Sequence, residues 1–412
     1  MVAQCRVCGD RDVLPLVDFG KLPISHRLRR GADDPDPRYP VNFHLCARCG
    51  LLQIVEPIDP ALLYSDADAY STSFQRPAHV PELLTSMVAR RDPGPALEIG
   101  CNDGFFLKAM RDRGFERLLG IEPNRPVAEA GRRDGLDIVA DFFGPDTLDA
   151  FKTRFDGGFD FIVARHVLEH VEQIETFLTT VREGLNPGGL FVLELPQVEA
   201  GFEGGNPSIL WEEHVNYFTV PMVERLLEVS GLEVLDRRTY AFGGGTIAMI
   251  AQRNEFLPPR PFALADWTSA NLGRPYYLRF AALLAEYQRA LAAVVAAYRT
   301  AGWRIAVYGA APRSCTVVNS CGLGDAVDLI IDDRAEIQGR FFPGSDRPII
   351  GFDAVDTGAG PILFLLGVGS ENEFKVSRKI ANRLGASPRT VSLFPPRRCG
   401  ETFAAALERL AR

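Results

Sequence analysis

The sequence predicts an α/β protein with two doubly wound parallel sheets behind a small metal-binding module. Three observations predict it. Short apolar runs alternate with helix-like stretches across residues 96–193, the same alternation restarts at Arg304 after a long amphipathic stretch, and two Cys-x-x-Cys pairs stand ahead of both. With 412 residues, 46% of them hydrophobic and 24% charged, the chain is long and apolar enough for two or three packed domains. A net charge of -8 gives no global basic field, so nucleic acid is not an expected partner. No window is expected to reach the run of about 20 apolar residues that a membrane span needs. A cytoplasmic protein is therefore expected, with no membrane partner.

The front module rests on Cys5-Arg6-Val7-Cys8 and Cys46-Ala47-Arg48-Cys49, four of the eight cysteines. Each pair presents two sulfurs from one tight turn, and Gly9 and Gly50 follow the pairs as residues that tolerate positive φ. Cys5, Cys8, Cys46 and Cys49 thus fit a tetrahedral zinc site, and four protein ligands leave no position for substrate, so the zinc is structural. Buried or redox-active cysteines are the alternative. The run Leu51–Val55 then reads as a short strand closed by Pro57 and Pro60.

The first sheet is expected from Ala96–Ile99, Leu118–Ile121, Phe161–Ala164 and Leu190–Leu193, with a turn at Leu185-Asn186-Pro187-Gly188-Gly189 before the last of these. A helical stripe runs through Phe280, Leu284, Tyr287, Leu291, Val294, Val295 and Tyr298. The second sheet is expected from Arg304–Tyr308, Leu329–Ile331, Ile362–Leu366 and Val391–Phe394.

Chemistry concentrates in the first sheet. Leu97-Glu98-Ile99-Gly100-Cys101-Asn102-Asp103-Gly104 is a strand, an acidic residue and a glycine-containing turn into a helix. Its glycine spacing departs from the dinucleotide fingerprint, which disfavours phosphate cradling. The next strand ends in Gly120-Ile121-Glu122-Pro123, placing a carboxylate where it can accept both ribose hydroxyls. Carboxylates on both strands suit a cationic, phosphate-free nucleoside, which S-adenosylmethionine is. Two clusters can serve as acid and base: Arg165-His166-Val167-Leu168-Glu169-His170 and Trp211-Glu212-Glu213-His214-Val215-Asn216-Tyr217-Phe218. On the residues alone, His170 and His214 can equally be structural hydrogen-bonders.

The order of these motifs resembles the three-domain, zinc-containing sugar C-methyltransferases, which use S-adenosylmethionine to methylate nucleotide-linked deoxysugars. The resemblance runs from Cys5 to at least Gly344. It implies a zinc module over 1–68, a class I methyltransferase domain over 69–255, and a connector helix with a second nucleotide-binding-like α/β domain over 256–412. It implies that Glu98, Gly100, Asn102 and Gly104 line the methionine and ribose end of the cofactor pocket, that Glu122 holds the ribose, and that Asp141 and Phe142 hold the adenine. His214 matches the base that removes a proton beside the sugar ketone, with Glu213 orienting it, and Tyr70 and His170 match groups near the sugar. Tyr308, Arg313 and Arg340 match positions expected to hold the nucleotide-sugar, thymidine diphosphate being the expected carrier. Trp211 stands where the family usually has a tyrosine, Gly367-Val368-Gly369 where Ala-Trp-Asn is common, and Arg313-Ser314-Cys315 where Lys-Gly-Asn is common. Transfer to oxygen or nitrogen of another acceptor, and a non-catalytic cofactor-binding module, are the rival expectations.

Overall fold

The computed structural model describes residues 4–64, 76–155, 157–369, 372–385, 387–394 and 402–411. Three strands open the chain, β1 (Val13–Pro23), β2 (Arg38–Cys46) and β3 (Leu52–Ile54). The first alternation follows as β4 (Ala96–Ile99), β5 (Leu118–Ile121), β6 (Ile138–Val139), β7 (Phe159–Arg165) and β8 (Leu185–Pro196). After it come β9 (Asn216–Tyr217), β10 (Leu232–Tyr240) and β11 (Thr246–Arg253). The second alternation supplies β12 (Arg304–Tyr308), β13 (Leu329–Ile331), β14 (Ile349–Ile350), β15 (Ile362–Leu366) and β16 (Arg389–Ser392).

The chain forms two compact units. One holds Met1–Pro15, Phe43–Glu199 and Glu213–Arg274, the other Leu16–Asn42, Ala200–Glu212 and Pro275–Arg412.

The first unit is built on a seven-stranded sheet in the order β10-β11-β8-β7-β4-β5-β6. Strands β4 to β8 are parallel, whereas β11 pairs antiparallel with both β8 and β10. Every residue of β4 is buried, as a strand covered by helices on both faces requires, while exposure alternates along β10 as it does at a half-covered edge. Strand direction of growth reverses between β4 and β7, which makes their carboxyl ends the ligand crevice of the sheet. Leu185–Gly189, expected as a turn, is the start of β8 itself. Phe159 pairs with Leu185 and Phe161 with Leu190, so the extra residues are absorbed as an irregularity in register, with Gly188 at φ 68°. Within this unit β3 pairs antiparallel with the end of β2 (Phe43 opposite Ile54) and with β9 (Leu52 opposite Tyr217). The four cysteines belong to the same apolar cluster as Leu97, Ile99, Phe191 and Trp267.

The second unit holds a five-stranded, wholly parallel sheet in the order β14-β13-β12-β15-β16. Its long helix spans Arg274–Thr300, and all seven residues of the expected stripe are buried in it. Tyr287 and Tyr298 donate their hydroxyls to the carbonyls of Leu393 (2.6 Å) and Ala406 (3.0 Å), so two buried aromatics keep their polar ends satisfied. One expectation needs correcting here. The stretch Thr268–Thr300 is long and apolar enough to cross a membrane by length and composition. The alanines between its larger residues raise its hydropathy, but Leu291, Val294 and Val295 lie in the core of the second unit.

Candidate active site and metal centre

The cysteines come together as expected. All four are buried and free of disulfides, and their sulfurs lie within 4.8 Å of one another. Cys5 Sγ stands 3.4 Å from Cys49 Sγ, and Cys8 Sγ 3.5 Å from Cys46 Sγ, so each close pair joins the two loops. A tetrahedral zinc with bonds of about 2.3 Å needs sulfurs about 3.8 Å apart, close to this arrangement and far from a disulfide. Gly9 and Gly50, at φ 69° and 78°, each donate a backbone N–H to the carbonyl of the cysteine four residues earlier, closing both loops.

The cofactor-binding candidates gather where β4 ends. Gly100 and Gly104 have φ of 66° and 75°, and Asn102, between them, has 51°. Among the described residues Asn102 and His166 are the two non-glycine residues with positive φ, and they follow β4 and β7, one on each side of the crevice. A Cβ on Gly100 would lie 2.6 Å from Val167 Cγ2, so the turn and the histidine motif are in van der Waals contact only because residue 100 is glycine. Glu122 accepts N–H bonds from Asn102 (3.0 Å) and Asn124 (2.8 Å), which fixes its carboxylate at the end of β5; burial raises its pKa against those two bonds. Glu98 is 2% exposed and one of its oxygens, Oε2, has no partner. Burial pushes its pKa up to about 8, with Arg165 pulling the other way. An unsatisfied buried carboxylate is the acceptor a cationic amino acid moiety needs, so these residues fit S-adenosylmethionine. Past β6, Asp141 holds the N–H of Phe142 (2.8 Å), and Phe142 is 51% exposed, an open ring face for an adenine.

The histidines meet in the first unit as well. His170 ends a single turn, Leu168–His170, just beyond β7. His214 is buried, its ring 4.8 Å from that of His170 and edge-on at 87°. Burial, then the neighbouring His170 and His166, hold its pKa well below the usual histidine value. His170 Nδ1 stands 2.9 Å from the carbonyl of Glu213 and 2.9 Å from Tyr64 Oη. Because a carbonyl only accepts, Nδ1 carries a proton toward it. Glu213 is thus seen to act on His170 through its backbone. Val215 N–H donates to Glu169 O (2.9 Å) and Ile54 N–H to Val215 O (3.0 Å), so the His214 segment is strapped between β3 and the turn after β7. Tyr70 lies outside the described residues.

Sequence reasoning missed Tyr64, which no motif marks, and the buried cluster beneath the crevice. There His79 Nε2 bonds Glu194 Oε1 at 2.6 Å, Arg165 pairs with the same carboxylate, and Glu194 is held down to about 2 despite burial.

The four substrate-binding candidates lie in the second unit. Tyr308 is buried at the end of β12, its hydroxyl donating to Asp333 (3.0 Å), and burial with that carboxylate raises its pKa. Arg313 is already engaged, bonding Ser208 Oγ through Nη2 at 2.8 Å and lying 4.3 Å over the Phe394 ring. Arg340 and Trp211 are both partly exposed. Growth of this sheet reverses between β12 and β15, where a Cβ on Gly309 would meet Gly367 O at 2.5 Å, so a second crevice opens at a glycine-lined switch point.

Comparison with known proteins agrees with this layout. Residues 5–64 match a zinc binding domain family, 74–237 a methyltransferase domain family, and 242–380 the C-methyltransferase C-terminal domain family. The C-methyltransferase NovU of Streptomyces niveus is 28% identical over 361 residues, 84% of this chain and 85% of that protein. The mitochondrial ubiquinone biosynthesis O-methyltransferase of Homo sapiens is 25% identical over 41% of this chain and 51% of its own length. Among solved structures, the 1,6-didemethyltoxoflavin-N1-methyltransferase of Burkholderia thailandensis aligns with a TM-score of 0.36 and 16% identity, over 51% of this chain and 97% of that one. With a four-cysteine zinc module, a class I methyltransferase sheet and a C-methyltransferase C-terminal domain matched in this order, the chain has the domain order of a three-domain C-methyltransferase and is an S-adenosylmethionine-dependent methyltransferase.

Proposed function

We propose that this enzyme methylates a carbon next to the ketone of a nucleotide-linked keto-deoxysugar, with thymidine diphosphate as the carrier and His214 as the base. The observation that carries the reading is the edge-on pair of His214, which is buried, and His170, which is half-buried on the turn whose Val167 packs against Gly100. Burial keeps the His214 imidazole neutral, as a proton acceptor must be. Tyr64 and the Glu213 carbonyl hold the His170 ring at right angles to it, so the acceptor approaches a fixed pair of imidazoles. His214 takes the proton α to the ketone, and the electron pair left behind becomes an enolate whose oxygen needs donors at its side. Bound S-adenosylmethionine supplies an electrophilic methyl group. Glu98 and Glu122 hold the cofactor by its cationic and ribose ends, and Asp141 with Phe142 by the adenine.

The second unit, with Tyr308, Arg313, Arg340 and Trp211, is assigned to the nucleotide-sugar, and the functional division follows 1–68, 69–255 and 256–412. The enzyme acts in the cytoplasm. The test offers a thymidine-diphosphate keto-deoxysugar in heavy water and reads the product by mass spectrometry and NMR. Carbon transfer removes one exchangeable ring proton, whereas a methyl on oxygen or nitrogen rejects the proposal. His214→Asn is expected to lower turnover by 10³-fold or more with S-adenosylhomocysteine affinity within about twofold of wild type, general-base removal being worth 10² to 10⁴. Full turnover in that variant removes His214 as the base.

A further inference from the structure

Glu169 takes no part in that chemistry. It is 2% exposed, sits on the single turn between β7 and the following helix, and neither carboxylate oxygen has a hydrogen-bond partner. Its nearest charged-capable neighbour is His166, Nδ1 to Oε1 at 3.3 Å. A buried carboxylate left in this way is unfavourable unless something cationic completes it. One ligand atom from each of Glu169, His170 and His214 lies within 4.8 Å of the others. His170 also has the support that metal-binding histidines use, since Nδ1 is anchored on a backbone carbonyl.

We infer that Glu169, His170 and His214 form a second metal site, taking a first-row divalent cation such as zinc or cobalt. The donor set is two imidazoles and one carboxylate, with no sulfur, and it differs in kind from the four-cysteine centre. Three protein ligands leave a coordination position open, as sites that meet small molecules do and closed structural sites do not. Bonds of about 2.0 Å set tetrahedral ligand atoms about 3.3 Å apart, so the three groups must draw in by roughly 1.5 Å at most. The site has a consequence that rests on the proposed base. An ion on His214 takes the lone pair that would accept the substrate proton, so occupancy and turnover exclude each other and free divalent metal inhibits the enzyme.

The experiment titrates Co²⁺ into the full-length protein already carrying its cysteine-bound zinc, reading heat and visible absorption. One further equivalent is expected, without the sulfur-to-cobalt charge-transfer bands that cysteine ligation would add. Glu169→Gln, nearly isosteric, and His170→Gln are each expected to weaken that equivalent at least tenfold while thermal unfolding and S-adenosylhomocysteine binding show the variants folded. No further equivalent, or one that neither variant weakens, overturns the site. Turnover measured in parallel separates the two ideas. Metal binding that depends on Glu169 but leaves turnover unchanged keeps the site and removes His214 as base; absence of binding together with an inactive His214→Asn variant removes the site and keeps the base.

Discussion

Glu98 shows how much one buried side chain sets. The free protein keeps its proton up to about pH 8, because burial opposes the charge. The ammonium group of the bound cofactor favours the ionised form, so binding releases a proton below that pH and affinity must rise as pH rises. Titration of S-adenosylhomocysteine is expected to show affinity climbing by up to about tenfold per pH unit between pH 6 and 8, then levelling. Glu98→Gln should bind more weakly at pH 8 and lose the slope. A wild-type affinity flat across that range would mean that Glu98 does not meet the cofactor's cation. Glu98 and Glu122 were recognisable as candidates because strand-end carboxylates follow a local pattern. Glu169 was not, since only the fold reveals that it is buried beside two histidines from different parts of the chain.

At the scale of elements, the turn between β4 and the helix Phe105–Arg111, proposed to hold the cofactor, carries three positive-φ residues, Gly100, Asn102 and Gly104. Gly100→Ala adds a Cβ at φ 66° and 2.6 Å from Val167 Cγ2. The conformation itself costs about 1 kcal/mol, and the contact must push the histidine turn away. Cofactor affinity is expected to fall tenfold or more, measured by the same titration. Gly114→Ala, at φ 89° with nothing within 4 Å of its Cβ, is the control that should cost similar stability and no affinity. The long helix was legible for the opposite reason from β9. Seven apolar residues at helical spacing announce Arg274–Thr300, whereas the two residues of β9 have no periodicity, and only their partner β3 makes them a strand. Tyr64 was hidden in the same way, its role depending on a histidine 106 positions later.

For the molecule as a whole, the cysteine centre is joined to the His214 segment by strand pairing and by Arg6, whose guanidinium donates to the carbonyls of Ile54 (2.5 Å) and Val215 (3.4 Å). Cys46 opens the loop that leads into β3, β3 pairs with β9, and His214 stands two residues before β9. Cys49→Ser is expected to lower zinc from about one per chain and to cost on the order of 4 kcal/mol, the range in which loss of a metal falls. Turnover should suffer more than S-adenosylhomocysteine affinity, because β3 holds the His214 segment while the cofactor turn hangs on β4. Metal analysis, thermal unfolding and the two assays together check this; equal losses in both assays would place the effect elsewhere. The strap also has a meaning for biosynthesis. All four cysteines leave the ribosome before residue 50, whereas the strand they serve arrives more than 160 residues later. A pairing so distant in sequence is slow to close unless one edge is already rigid. Zinc captured early would supply that rigid edge to the still-growing chain, so a cell short of the metal should accumulate nascent enzyme whose His214 segment has nowhere to dock.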